Sequence, residues 1–108
     1  MSDLDLVRHI LDEVRFMRSR ACGTTGESFL HDEVLKRAFA RSLEIVGEAT
    51  KKPTPAFRES HPAFEWRLLA GTRDKLIHHY FGVDYSIVWD IVINELPDLE
   101  DELSALTE

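Results

Sequence analysis

The sequence is short of cysteine, of long apolar runs and of net positive charge. Its single cysteine, Cys22, excludes an intrachain disulfide and suits a reducing compartment. No apolar stretch approaches the ~20 residues needed to span a bilayer. Asp3 and Asp5 interrupt any apolar run at the N-terminus, so no signal peptide is expected. A cytoplasmic protein without a membrane segment is the expectation. The formal net charge of −7 argues against a broad nucleic-acid footprint. There is no internal repeat, no low-complexity segment and no strand-like alternation. No set of histidines and carboxylates has chelating spacing, so neither a metal nor another cofactor is predicted.

What is present fits one small domain, residues 1–108, with 44% hydrophobic and 31% charged residues. A core of this size is marginal alone, and oligomerisation is one remedy. Ser2 and Asp5 have the spacing of a capping box. Leu4, Val7, Leu11, Val14 and Met17 then recur at helical intervals, predicting a helix of about five turns. Gly23-Thr24-Thr25-Gly26 breaks it. One second helix is predicted over Leu30, Val34, Leu35, Ala38, Phe39, Ser42, Leu43, Val46 and Ala49, ended by Lys51-Lys52-Pro53-Thr54-Pro55. Ala56–Ser60 has room for a short helical turn. Pro62 is placed to open a third long helix running to Tyr80, with Gly82 just past its end. Asp84 reads as the next N-cap, ahead of Ile87, Val88, Ile91, Val92 and Leu96. Pro97 restarts a final short helix carrying Leu99, Leu103 and Leu106. The reading is an all-α bundle of four to five helices.

Charge is unevenly spread. Glu95, Asp98, Glu100, Asp101, Glu102 and Glu108 crowd the C-terminus. Basic residues gather around Arg15, Arg18 and Arg20, and around Lys51, Lys52, Arg58, Arg67, Arg73 and Lys75. A locally basic cleft on an acidic protein is compatible with this pattern.

The most informative stretch is Thr72-Arg73-Asp74-Lys75-Leu76-Ile77-His78-His79-Tyr80. Histidine moves protons near neutral pH, and arginine holds a phosphate in a fixed fork of donors. Arg73, His78 and Tyr80 together are therefore suited to a phosphodiester. On an ideal helix, Arg73 and His78 point roughly 140° apart, whereas Arg73 and Tyr80 share a face. A swung arginine, an irregular helix or a second copy of the helix across a dimer axis would each bring the pair together. Asp74 lies one turn before His78, where it can orient the imidazole or form a plain exposed pair.

With Phe81-Gly82-Val83-Asp84 and Val88-Trp89 following, this segment resembles the R-x4-H-x-Y signature of the HepT-like toxins of the HEPN superfamily. Leu43-Glu44-Ile45-Val46-Gly47-Glu48-Ala49 resembles the family's "L-E-I-I-G-E-A", and Leu96-Pro97 its "L-P-x-L" tail. His61-Pro62-Ala63-Phe64-Glu65-Trp66 is a looser version of "P-x-I-P-W". Thr72 stands where the family usually has Met, and Asp74 where it usually has Asn. The resemblance covers nearly the whole chain. It implies a HEPN-like bundle whose motif helices face each other in a homodimer. It also implies a metal-independent endoribonuclease in which Arg73 and His78 are catalytic, Asp74 is a possible support and the substrate is RNA (tRNA or mRNA). It further implies a type VII-like toxin–antitoxin module. There, a MntA-like nucleotidyltransferase antitoxin silences the toxin by attaching AMP to the residue matching Tyr80.

Each residue also has a plainer reading. Isolated, Arg73 would be a solvated cation, His78 a structural histidine and Tyr80 a packing ring with a wet hydroxyl. His79 falls at the variable position. Tyr85 reads as structural, Trp66 and Trp89 as core or interface. Gly47, mid-helix, implies close packing, with Glu48 either facing a cleft or solvated. The alternative function is a non-catalytic helical dimer that scaffolds a nucleotidyltransferase partner.

Overall fold

In a computed structural model, residues 2–61 and 83–107 are described, and all secondary structure among them is helical. The first helix, α1 (Asp3–Ala21), begins at the expected capping box. The Ser2 hydroxyl accepts from the Asp5 N–H at 3.1 Å, and the Ser2 N–H donates to the Asp5 carboxylate at 3.3 Å. The Ser2 hydroxyl first, then its backbone N–H, hold the Asp5 carboxyl below the usual carboxylate range. The helix runs the expected five turns and ends before Gly23, whose φ of 79° suits a residue without Cβ. Val7, Ile10, Val14 and Met17 are fully buried on one face, while Leu4, from the predicted stripe, is 40% exposed.

The single second helix expected from the sequence is two helices. Six residues form α2 (Gly26–His31), capped by Thr25, and α3 (Glu33–Ala49) follows at once. Asp32 makes the break. Its backbone is extended, and its carboxylate accepts from the Leu35 N–H at 2.9 Å, so the side chain replaces the helical ladder as partner for the new N-terminus. The change of direction turns Leu30 and Val34 out of the predicted stripe: they are 42% and 81% exposed. Phe29 takes their place in the core, fully buried. Its ring lies 5.2 Å from Phe39 on α3 and 5.0 Å from Trp89. Gly26 makes the approach possible, because a Cβ there would come within 2.9 Å of Trp89 Nε1.

The proline-rich turn ends α3 as expected, at Thr50, and α4 (Pro55–Ser60) supplies the short turn of helix. Asp84 caps α5 (Tyr85–Asp90), its carboxylate accepting from the Ser86 N–H at 3.0 Å and the Ser86 hydroxyl at 2.6 Å. The final short helix expected at Pro97 is present, with the proline in its first turn, and it follows the preceding helix without a break. A π-helical segment (Ile91–Glu95) joins α5 to α6 (Leu96–Leu106). Pro97 explains the wider turn, since it has no N–H to donate and its ring would strike the carbonyl four residues back in a regular α-helix. The Leu96 N–H accordingly reaches the Ile91 carbonyl.

Helix α1 packs along both α3 and α6, and α5 leans on α2 and α3. The shared core joins the α1 stripe to Phe39, Leu43 and Val46 of α3 and to Val88, Val92, Leu96 and Leu103. The fold is an all-α bundle of the HEPN-like kind. The third long helix expected from Pro62, and its Gly82 cap, lie outside the described residues.

Candidate functional site

The residues that the sequence marks as chemical, Arg73, Asp74, His78 and Tyr80, lie outside the described residues, as do His79 and Trp66. Described are the elements into which their segment runs: α3 and α4 upstream, α5 downstream.

Upstream, the end of α3 is tied down by one polar cluster. The Thr50 side chain is buried, and its hydroxyl reaches the carbonyls of Val46, at 3.1 Å, and Gly47, at 2.9 Å. Arg58, on α4, donates through Nη2 to the Thr50 carbonyl at 2.9 Å. A cation at the C-terminal end of a helix meets the negative end of its macrodipole and satisfies a carbonyl that the helix leaves open. Arg58 Nε is buried without a hydrogen-bond acceptor among the described residues. The N-terminus of α4 is fixed to α1. The Asp3 carboxylate accepts from the Thr54 N–H at 3.0 Å and from its hydroxyl at 2.8 Å, and that hydroxyl also accepts from the Phe57 N–H. Gly47 is buried, in keeping with the close packing its sequence position suggested, and Glu48 is exposed.

Downstream, α5 is anchored by its two aromatic residues. Trp89 stacks on Phe29, and Lys36 of α3 sits 4.8 Å above the Tyr85 ring while pairing with Glu33 at 2.9 Å. The hydrogen bond from Lys36 is the main reason the Glu33 carboxyl lies below its ordinary range. Tyr85 and Trp89 are thus structural, which agrees with their plainer reading.

The two basic clusters of the sequence have different fates. Arg15 and Arg18 both engage Glu100 of α6, Arg15 Nε at 3.8 Å and Arg18 in a hydrogen-bonded pair. That partnership is invisible to sequence reasoning because 82 positions separate Arg18 from Glu100. The cluster at Lys51, Lys52 and Arg58 has no carboxylate within ion-pair distance among the described residues. Among the described residues no group of histidine, cysteine, aspartate or glutamate could hold a metal ion, and no helix is long and apolar enough to cross a membrane.

Comparison with known proteins gives this frame a family. The sequence profile of the family described as Ribonuclease HepT-like matches residues 10–106. The chain is 47% identical to a protein of Caldanaerobacter subterraneus subsp. tengcongensis named "Putative RNase", over 94% of this chain and 91% of that one. It is 36% identical to the "Probable ribonuclease HepT" of Thermococcus cleftensis, over 97% of this chain and 96% of that one. A Methanocaldococcus jannaschii protein, also named "Putative RNase", is 42% identical over 87% of this chain and 74% of its own length. No solved structure matches the chain significantly. The matched residues include most of the described frame and the whole Arg73–Tyr80 motif, and the chain belongs to the HepT-like ribonuclease family.

Proposed function

We propose that this chain, as one domain over residues 1–108, is the toxin of a type VII-like toxin–antitoxin module and acts as a metal-independent endoribonuclease in the cytoplasm. One observation carries the reading: R-x4-H-x-Y stands intact at Arg73, His78 and Tyr80 inside the segment that matches the HepT-like family. The ribonuclease names of its relatives agree with that chemistry.

The reaction needs no nucleophile from the protein. A ribose 2′-hydroxyl attacks the adjacent phosphorus, the bond to the 5′-oxygen breaks, and a 2′,3′-cyclic phosphate and a 5′-hydroxyl result. His78 takes the proton of the attacking hydroxyl or delivers one to the leaving oxygen. Arg73 stabilises charge developing on the phosphate. Asp74 supports His78 from the preceding turn. Two copies of the motif helix facing each other would place Arg73 of one near His78 of the other, so the active species is a homodimer. Light scattering should give twice the 12.4 kDa chain mass, and a strict monomer that still cleaves RNA would remove the shared cleft.

Silencing is assigned to Tyr80 and to a MntA-like nucleotidyltransferase antitoxin. That enzyme attacks the α-phosphorus of ATP with the tyrosine oxygen and releases pyrophosphate. AMP on this hydroxyl, which on an ideal helix shares a face with Arg73, sets a bulky phosphodiester anion against the arginine that binds RNA. Tyr80→Phe keeps the ring and removes the only atom modified. Intact-mass spectrometry after incubation with the partner and ATP should show AMP added to wild type and none on Tyr80→Phe. Equal modification of both would move the target elsewhere.

The net charge of −7 and the acidic Asp74 favour a second reading, a non-catalytic dimer that scaffolds the nucleotidyltransferase. Expression of the chain without its partner separates the two. Loss of specific RNA species with wild type, and none with His78→Ala, supports the nuclease, whereas equal RNA profiles support the scaffold.

A further inference from the structure

The distribution of paired and unpaired cations points to where the substrate's backbone runs. Of the described basic residues, Arg8, Arg15, Arg18, Lys36, Arg37 and Arg41 each lie within ion-pair distance of a carboxylate. Arg20, Lys51, Lys52 and Arg58 do not, among the described residues. Lys51 and Lys52 fall on the turn from α3 into α4 and Arg58 on α4 itself, which in sequence precedes the segment carrying Arg73 and His78. Apart from Arg20, every described lysine and arginine outside this stretch has a carboxylate within ion-pair distance, whereas these three have none among the described residues. Lys51 and Lys52 are both exposed there. The nearby Asp3 carboxylate, half-buried, is occupied by Thr54, and Glu48 and Glu59 are exposed acids of this stretch.

We propose that Lys51 and Lys52 form a phosphate-binding track that receives the RNA backbone outside the catalytic motif. Arg58 holds the track in place through its bond to the Thr50 carbonyl. The contact is electrostatic and independent of base sequence, because ammonium groups on long flexible stems act as point charges toward phosphates. It also answers how a chain of net charge −7 could engage a polyanion: through a short local track. The inference rests on the ribonuclease reading above.

The plain alternative is that these lysines only complement the negative end of the α3 dipole. A binding titration separates the two. The probe is a labelled oligouridylate with 2′-O-methyl groups, which blocks the attacking hydroxyl and allows wild-type protein to be used uncut. Counterion release predicts that each lysine lost from a single-strand contact flattens the slope of log K against log salt by about 0.7. Lys51→Gln/Lys52→Gln should therefore bind more weakly at low salt, with a slope shallower by about 1.4, and converge on wild type at high salt. Its melting temperature should stay near that of wild type. An unchanged slope, with or without a lowered melting temperature, overturns the track. RNA cleavage by wild type, assayed in parallel on unmodified RNA, keeps the two claims apart. Cleavage with an unchanged slope sinks the track alone, and neither binding nor cleavage sinks the ribonuclease reading as well.

Discussion

Replacing Phe29 by alanine should destabilise the protein by about 3–5 kcal/mol, the cost of removing a fully buried aromatic ring and leaving a cavity. Phe29 is completely buried and contacts two other aromatic rings, Phe39 of α3 and Trp89 of α5. A domain of this size has only about 5–15 kcal/mol in total, so the change removes a large fraction of it. The effect should reach beyond stability. Phe29 ties α5 to the bundle, and α5 is the element into which the motif segment runs. Its neighbour Leu30 is 42% exposed, and Leu30→Ala should cost under about 1 kcal/mol. Urea titrations of the two variants decide the matter. Equal midpoints, or a larger loss at Leu30, would contradict the packing of α2 described here. Gly26→Ala should echo Phe29→Ala more weakly, about 1–3 kcal/mol, because its new methyl group must push the Trp89 ring aside.

The second large effect concerns catalysis. His78→Ala should slow RNA cleavage by about a hundred- to ten-thousand-fold, the range over which a positioned proton-transfer group contributes. Arg73→Ala should cost about a hundred- to a thousand-fold, the loss expected for one donor to a developing negative charge. Both variants should keep the helical circular dichroism spectrum of wild type, since neither residue belongs to the apolar stripe of its segment. Because the two groups act on one phosphodiester, the double variant should be little worse than His78→Ala alone. A folded His78→Ala protein that cleaves at the wild-type rate would remove the mechanism.

The sequence was most legible where structure is set by neighbours in the chain. The Ser2–Asp5 capping box, the α1 stripe from Val7 to Met17, the stop of α3 at the proline-rich turn and the Asp84 cap are all local, and all are present. It misled where a local choice had two outcomes. The stripe from Leu30 to Ala49 reads as one helix because Leu30, Val34 and Leu35 keep helical spacing. Asp32, equally able to sit mid-helix or cap a new one, takes the cap, and Val34 is turned to solvent. Pro97 does restart a helix as expected, but the π turn that absorbs its missing donor left no mark in the sequence. Contacts between distant positions left no trace, as with Arg15 and Arg18 on Glu100, or Arg58 on the end of α3. The candidate site was legible because its motif is a matter of spacing and residue type within eight positions, Arg73 to Tyr80. How its side chains meet is a question of tertiary arrangement, which spacing does not encode.

The chemistry of the product ends is the sharpest test of the proposed metal-independent RNA cleavage by Arg73 and His78. Purified wild-type protein and His78→Ala would each be incubated with RNA in excess chelator, and the fragments sized and weighed by mass spectrometry. Wild type should give discrete fragments ending in 2′,3′-cyclic phosphate, with 5′-hydroxyl partners, and His78→Ala almost none. Intact RNA from both proteins, or the same fragments from both, would contradict it.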